Sequence, residues 1–156
     1  MSGWVERSRD EWAKKYFQEL FKSKKFTLDG TEGATMSFFS VETSGDCSLA
    51  IKSGSSDAPR PMFEFRIELD WKVEQTVDNG KSKMETKGQI LVSEFGSEDI
   101  ENPELKLSFD TKLPPGATPA FKTLMDKLHE AVRKAGVPVV KKMLAEDFVE
   151  TLKKQV

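Results

Sequence analysis

His129 and Cys47 are the lone histidine and cysteine of the chain, and so the first places to look for acid–base or nucleophilic chemistry near neutral pH. His129 falls in a stretch with helical apolar spacing, next to Leu128, with no nucleophilic serine or cysteine signature around it. That context reads as a surface or boundary residue. Cys47 alternates with Leu49 and Ile51, which suits a small buried hydrophobe in a strand better than a reactive thiol. Carboxylates such as Glu64, Glu68 and Asp70 mostly alternate with basic residues on a face turned to water, where a paired acid/base site lacks the desolvation it needs. The glycines are scattered turn residues that form neither a phosphate loop nor a dinucleotide fingerprint, and no Cys/His grouping offers zinc ligands. The expectation is a protein with no catalytic residue, no metal site and no cofactor.

Binding is the remaining function class, and composition narrows the partner. Lys and Arg number 24 against 26 Asp and Glu, and the resulting net charge of −2 gives no long-range field for nucleic acid or an anionic membrane. A single cysteine excludes an internal disulfide and fits a reducing compartment. The opening MSGWVERSRDEW lacks the apolar run of a signal peptide, and no stretch approaches the roughly 20 apolar residues of a membrane span. A cytosolic protein is expected, a monomer on its own, folded as one domain over residues 1–156. The hydrophobic fraction of 37% is low for a compact globule and suits a sheet covered on one face only.

Periodicity supplies the elements. Trp12, Tyr16 and Leu20, with Phe17 and Phe21 beside them, form the apolar stripe of a helix over about 9–22, opened by a Ser8–Glu11 capping box. The glycine-bearing stretch 22–33 reads as a loop. From Met62 to Glu74 the alternation is strict: Phe63, Phe65, Ile67, Leu69, Trp71 and Val73 against charged neighbours. One face of that strand is therefore dry and the other wet, which argues for antiparallel pairing. A strand through Cys47, Leu49 and Ile51 precedes it across a Ser53–Pro61 hairpin loop. Asp78-Asn79-Gly80 turns into a strand over about 88–95, and a fourth carries Leu105, Leu107 and Phe109. Thr118-Pro119 then caps a long helix in which Gly136 and Pro138 should kink or interrupt the run. The expected class is α+β: an N-terminal helix, a four-stranded antiparallel meander, and a long C-terminal helix, bent or divided in two.

Trp4-Val5-Glu6, then Trp12-Ala13-Lys14-Lys15-Tyr16-Phe17, and Gly45-Asp46-Cys47 at a strand start resemble the N-terminal domain of the activators of the heat-shock protein 90 ATPase. Each motif is short, but their order agrees along essentially the whole chain, which resembles either the short single-domain kind or the first domain of a longer member. The resemblance implies a co-chaperone that docks on the middle domain of heat-shock protein 90 and supplies no catalytic group. It also implies a site. Asp46 matches the family's acidic residue after the glycine and is expected to meet a basic residue of the chaperone. The family's basic RKGK-like motif is reduced here to Lys52-Ser53-Gly54-Ser55, followed by an insertion in which Arg60 offers a second positive charge from the loop. The family's Asn-rich run and histidine are missing from the N-terminus, leaving Trp4 and Glu6. Trp4 either staples onto the first turn of the helix or contacts the partner. Fewer basic charges should weaken docking and stimulation.

Two rival readings remain. A carrier of a small apolar ligand needs an internal cavity of several hundred cubic ångströms. An adaptor would keep the fold without stimulating the ATPase.

Overall fold

A computed structural model of the protein describes residues 4–52, 58–77, 80, 82–110 and 115–155. The strands are β1 (Trp4–Ser8), β2 (Lys25–Thr27), β3 (Thr35–Lys52), β4 (Arg60–Val77), β5 (Ser82–Gly96) and β6 (Glu104–Phe109). Helix α1 (Asp10–Lys22) lies between β1 and β2, and a C-terminal helical run covers α2 (Pro119–Ala131), α3 (Val137–Lys142) and α4 (Val149–Lys153). All strands join one antiparallel sheet of order β1-β3-β4-β5-β6, with β2 pairing the start of β3. The α+β class and the meander stand as expected. The sheet has six strands rather than four, because β1 and β2 pair with opposite ends of a β3 that runs to 18 residues.

The alternation of β4 sorts its side chains as the sequence requires. Phe63, Phe65, Ile67, Leu69, Trp71 and Val73 are all buried, while Glu64 and Arg66 are exposed. The buried face packs on α1 and the C-terminal run. Phe148 is the hub: fully buried, it stacks on Phe17 of α1 at 4.5 Å and meets Phe63 edge-on at 5.3 Å. Among the described residues no helix covers the other face, which presents charged residues of β3, β4 and β5 to solvent.

Helix α1 starts differently from the expected capping box. Ser8 is the last residue of β1, opposite Ser48, so its hydroxyl is not the helix cap. The start is held by β3 instead: the Asp10 carboxylate accepts a hydrogen bond from the Cys47 amide at 2.6 Å, and the Arg9 amide donates to the Cys47 carbonyl at 2.7 Å. The stretch 22–33 also departs from a plain loop, since Lys25–Thr27 forms β2.

At the C-terminal run, Thr118 caps α2 as expected, its hydroxyl accepting from the Phe121 amide at 3.1 Å. Gly136 and Pro138 do not interrupt the helix. A π turn over Val132–Gly136 precedes the proline, with the Val137 amide bonded to the Val132 carbonyl, and a second π turn occupies Met143–Phe148. The one-residue slip widens the helix where the proline ring would clash with a carbonyl of the preceding turn. Gly136 has a packing role: a Cβ there would lie 2.8 Å from Met36 Sδ, so its absence lets the helix approach β3 closely.

Candidate functional site

The residues expected to meet a partner, Trp4, Glu6, Asp46, Lys52 and Arg60, all lie on the open face of the sheet. Directly paired residues of antiparallel strands share a face. Trp4 pairs with Lys52, Glu6 with Ala50, Ala50 with Arg60, and Asp46 with Glu64. These pairs form two adjoining clusters.

The first cluster is built on Trp4. The Arg60 guanidinium lies 4.4 Å from the indole centroid and the Lys52 ammonium 5.9 Å from it. Both distances permit cation–π attraction, worth about 0.5–1 kcal/mol each at an exposed site. Two expectations change here. Trp4 does not staple onto α1, because β1 carries it across the end of β3 instead. Arg60 is the first residue of β4 rather than part of a loop, and Ser53–Asp57 of the expected hairpin loop lie outside the described residues.

The second cluster is acidic. Asp46 and Ser48 lie on β3, Met62 and Glu64 on β4, and with the turn after β5 they line an open groove of about 600 Å³. Its carboxylates are Asp46, Glu64, Glu94, Glu98, Asp99 and Glu104. A neighbouring depression of about 490 Å³ adds Glu6 and Asp10 and shares Asp46 and Ser48 with the first. Met62, 49% exposed, supplies an apolar contact in the groove. Such a surface suits cationic side chains around one hydrophobic contact. It does not suit an apolar small molecule, and behind the sheet the Phe148 ring packs directly against Phe17, Phe63, Phe65 and Phe95.

Gly45 sets the geometry beside Asp46. Its φ of +129° is a conformation that side chains disfavour, and a Cβ there would fall 2.0 Å from the Glu64 carbonyl oxygen. Only glycine lets β3 approach β4 at this point. Cys47, one residue further, is 1% exposed, and its thiol is pushed up to about 12, first by burial and then by the Asp10 carboxylate. It packs as a hydrophobe. His129 donates or accepts at 3.0 Å with the Thr86 hydroxyl and stacks on Phe109 at 4.2 Å, far from the groove, with burial holding its pKa down. Among the described residues no cluster of His, Cys, Asp and Glu could hold a metal ion, and no helix is long and apolar enough to cross a membrane.

Sequence reasoning missed the groove's far wall, Glu94, Glu98, Asp99 and Glu104. A signal was present: these acids and Glu101 fall between Lys87 and Lys106 with no Lys or Arg among them. What the sequence conceals is that the turn folds beside Asp46.

The fold is a one-sided sheet whose uncovered face gathers charge around a few apolar side chains. The family described as "Activator of Hsp90 ATPase, N-terminal" matches residues 6–156, and the chain belongs to it. Among solved structures the chain is similar to the crystal structure of Aha-1 from Plasmodium falciparum, with a TM-score of 0.68 and 18% identity over 96% of this chain and 91% of that one. At that identity the likeness is one of fold. No curated protein matches the chain.

Proposed function

We propose that the protein binds the middle domain of heat-shock protein 90 in the cytosol and raises its ATPase rate, docking as a monomer through the open face of the sheet. The observation that carries this reading is the gathering of Asp46 with five further carboxylates in one groove beside the Trp4–Lys52–Arg60 cluster. A basic surface of the chaperone would enter the acidic groove, with Met62 as the apolar contact, while Lys52 and Arg60 meet acidic groups at the rim. Complementary charge of this kind sets on-rate and register more than raw affinity. Glu6 and Asp10 extend the acidic surface across β1.

The protein would contribute no group to ATP hydrolysis. It would act by population shift, stabilising the hydrolysis-competent chaperone only by as much as it binds that state better than the idle one. The test is the steady-state ATPase rate of the purified chaperone titrated with this protein, with an inhibitor-blanked control. A saturable rise is expected, and Asp46→Lys should weaken binding about tenfold or more by turning an attraction into a repulsion. Unchanged affinity of a folded Asp46→Lys protein would remove the groove from the interface. Binding without any rise in rate would make the protein an adaptor.

A further inference from the structure

The docking surface proposed above leaves a second group of side chains on the open face unexplained. A bulge in β3 between Phe38 and Ser40 shifts the register by one residue. Phe38 turns into the core at 4% exposure, and Phe39 beside it is 49% exposed. Among the described residues only Val5 and Met62 are comparably exposed large hydrophobics. The Lys87 ammonium lies 5.7 Å from the Phe39 ring centroid, which places the ring among the charges of the open face.

Those charges are arranged in a row. Lys25 of β2 pairs with Ser37 of β3, Ser37 with Lys72 of β4, and Lys72 with Lys87 of β5. The register therefore sets three lysines in one line across four strands, with Lys72 directly opposite Lys87. Like charges in that relation destabilise a sheet. The adjacent acids relieve this only in part. Glu74 is shared by Lys72 at 3.2 Å and Lys83 at 2.7 Å, and Glu85 reaches Lys87 at 3.4 Å. On the other side of the row, Asp70 accepts a hydrogen bond from Gln89. Lys25 has no ion-pair partner among the described residues.

We infer that the stripe of Lys25, Lys72 and Lys87 around Phe39 is a second docking site, for an acidic peptide segment that carries an apolar side chain. The stripe is one lysine wide, flanked by Glu74, Glu85 and Asp70 and bounded at its Lys87 end by Asp110, whose amide donates to the Lys87 carbonyl at 2.8 Å. A continuous polyanion such as a nucleic-acid backbone or a plane of lipid headgroups would meet those carboxylates as well as the lysines. A peptide with spaced carboxylates can follow the row and avoid them, and its apolar residue can cover Phe39. The span from Met62 to Lys72 along β4 is about 33 Å at the usual strand rise, so the stripe is separate from the acidic groove.

The probe is a short peptide of Glu and Asp residues around one central Leu, followed by fluorescence anisotropy and by amide shifts in the nitrogen–proton spectrum of the whole chain. Shifts should centre on Lys25, Phe39, Lys72 and Lys87, and affinity should fall as salt screens the exposed charges. Phe39→Ser should weaken binding, and Lys72→Glu with Lys87→Glu should weaken it about tenfold. Lys25→Glu alone serves if the double variant unfolds. Absence of shifts at the stripe, unchanged affinity of the folded variants, or preferential binding of phosphatidylserine vesicles or duplex DNA overturns the inference. The assay contains no chaperone, so its failure leaves the proposed function untouched.

Discussion

Replacing Gly45 with alanine tests how tightly fold and site are joined. The new Cβ would lie 2.0 Å from the Glu64 carbonyl oxygen and 2.9 Å from Phe65 Cα, both backbone atoms that cannot rotate away. The strands must separate locally or Gly45 must leave its φ of +129°. A non-glycine residue held in such a conformation costs about 1–3 kcal/mol, and each ladder hydrogen bond lost between β3 and β4 adds about 1 kcal/mol. With two such bonds lost the sum is about 3–5 kcal/mol, out of a total stability of about 5–15 kcal/mol for a domain. The melting temperature should fall by roughly 10 °C at about 2–4 °C per kcal/mol for a chain of this size. Urea unfolding followed by tryptophan fluorescence is a suitable assay, because Trp71 is fully buried and reports on the sheet. An unchanged denaturation midpoint at unchanged slope, equivalent to a loss below about 1 kcal/mol, would refute the reasoning and show that β3 can move aside.

Further outcomes can be checked with the same protein. Phe148→Ala removes the ring against which α1 and the sheet pack, and a loss of about 3–5 kcal/mol is expected by urea unfolding; a loss under 2 kcal/mol would mean the core collapses around the gap. Trp4→Ala should cost about 1 kcal/mol through its contacts with Arg60 and Lys52, with an increase in amide exchange confined to β1 and the end of β3. Burial holds the His129 pKa below its ordinary value, so the unfolded chain binds the proton more readily than the folded one. The contribution of this group to stability should therefore fall as pH drops below about 6.5 and through the folded pKa. His129→Phe should flatten that part of the stability profile, and an identical profile in the variant would assign the effect to other groups.

The parts of this fold legible in the sequence are those that repeat a period without interruption. β4 alternates from Met62 to Glu74 because one face is dry and the other wet, and α1 and the C-terminal run carry regular apolar stripes. β3 is only partly legible because the bulge between Phe38 and Ser40 shifts its phase and its middle is rich in Ser, Thr and Gly. β1 and β2 are too short for a period to show, and their pairing with β3 is a long-range choice. Gly136 and Pro138 read as a break because a proline removes an α-helical bond, and no local signal announces the π turn that accommodates it. Asp46 was legible through a short motif. Its acidic neighbours were not, since Glu64 and Glu94 come together only when β4 and β5 are in register.

Phe148 also has a consequence for how the protein is made. It lies in the last helical segments of the chain, yet it fills the space between α1 and the sheet. A ribosome releases α1 and every strand before this ring emerges, so the growing chain holds a row of aromatic side chains without their cover until the Phe148 segment has been made. Until then the uncovered aromatic face of the growing sheet is open to aggregation, which places the risk in folding this chain at the stage before its C-terminal helical run docks.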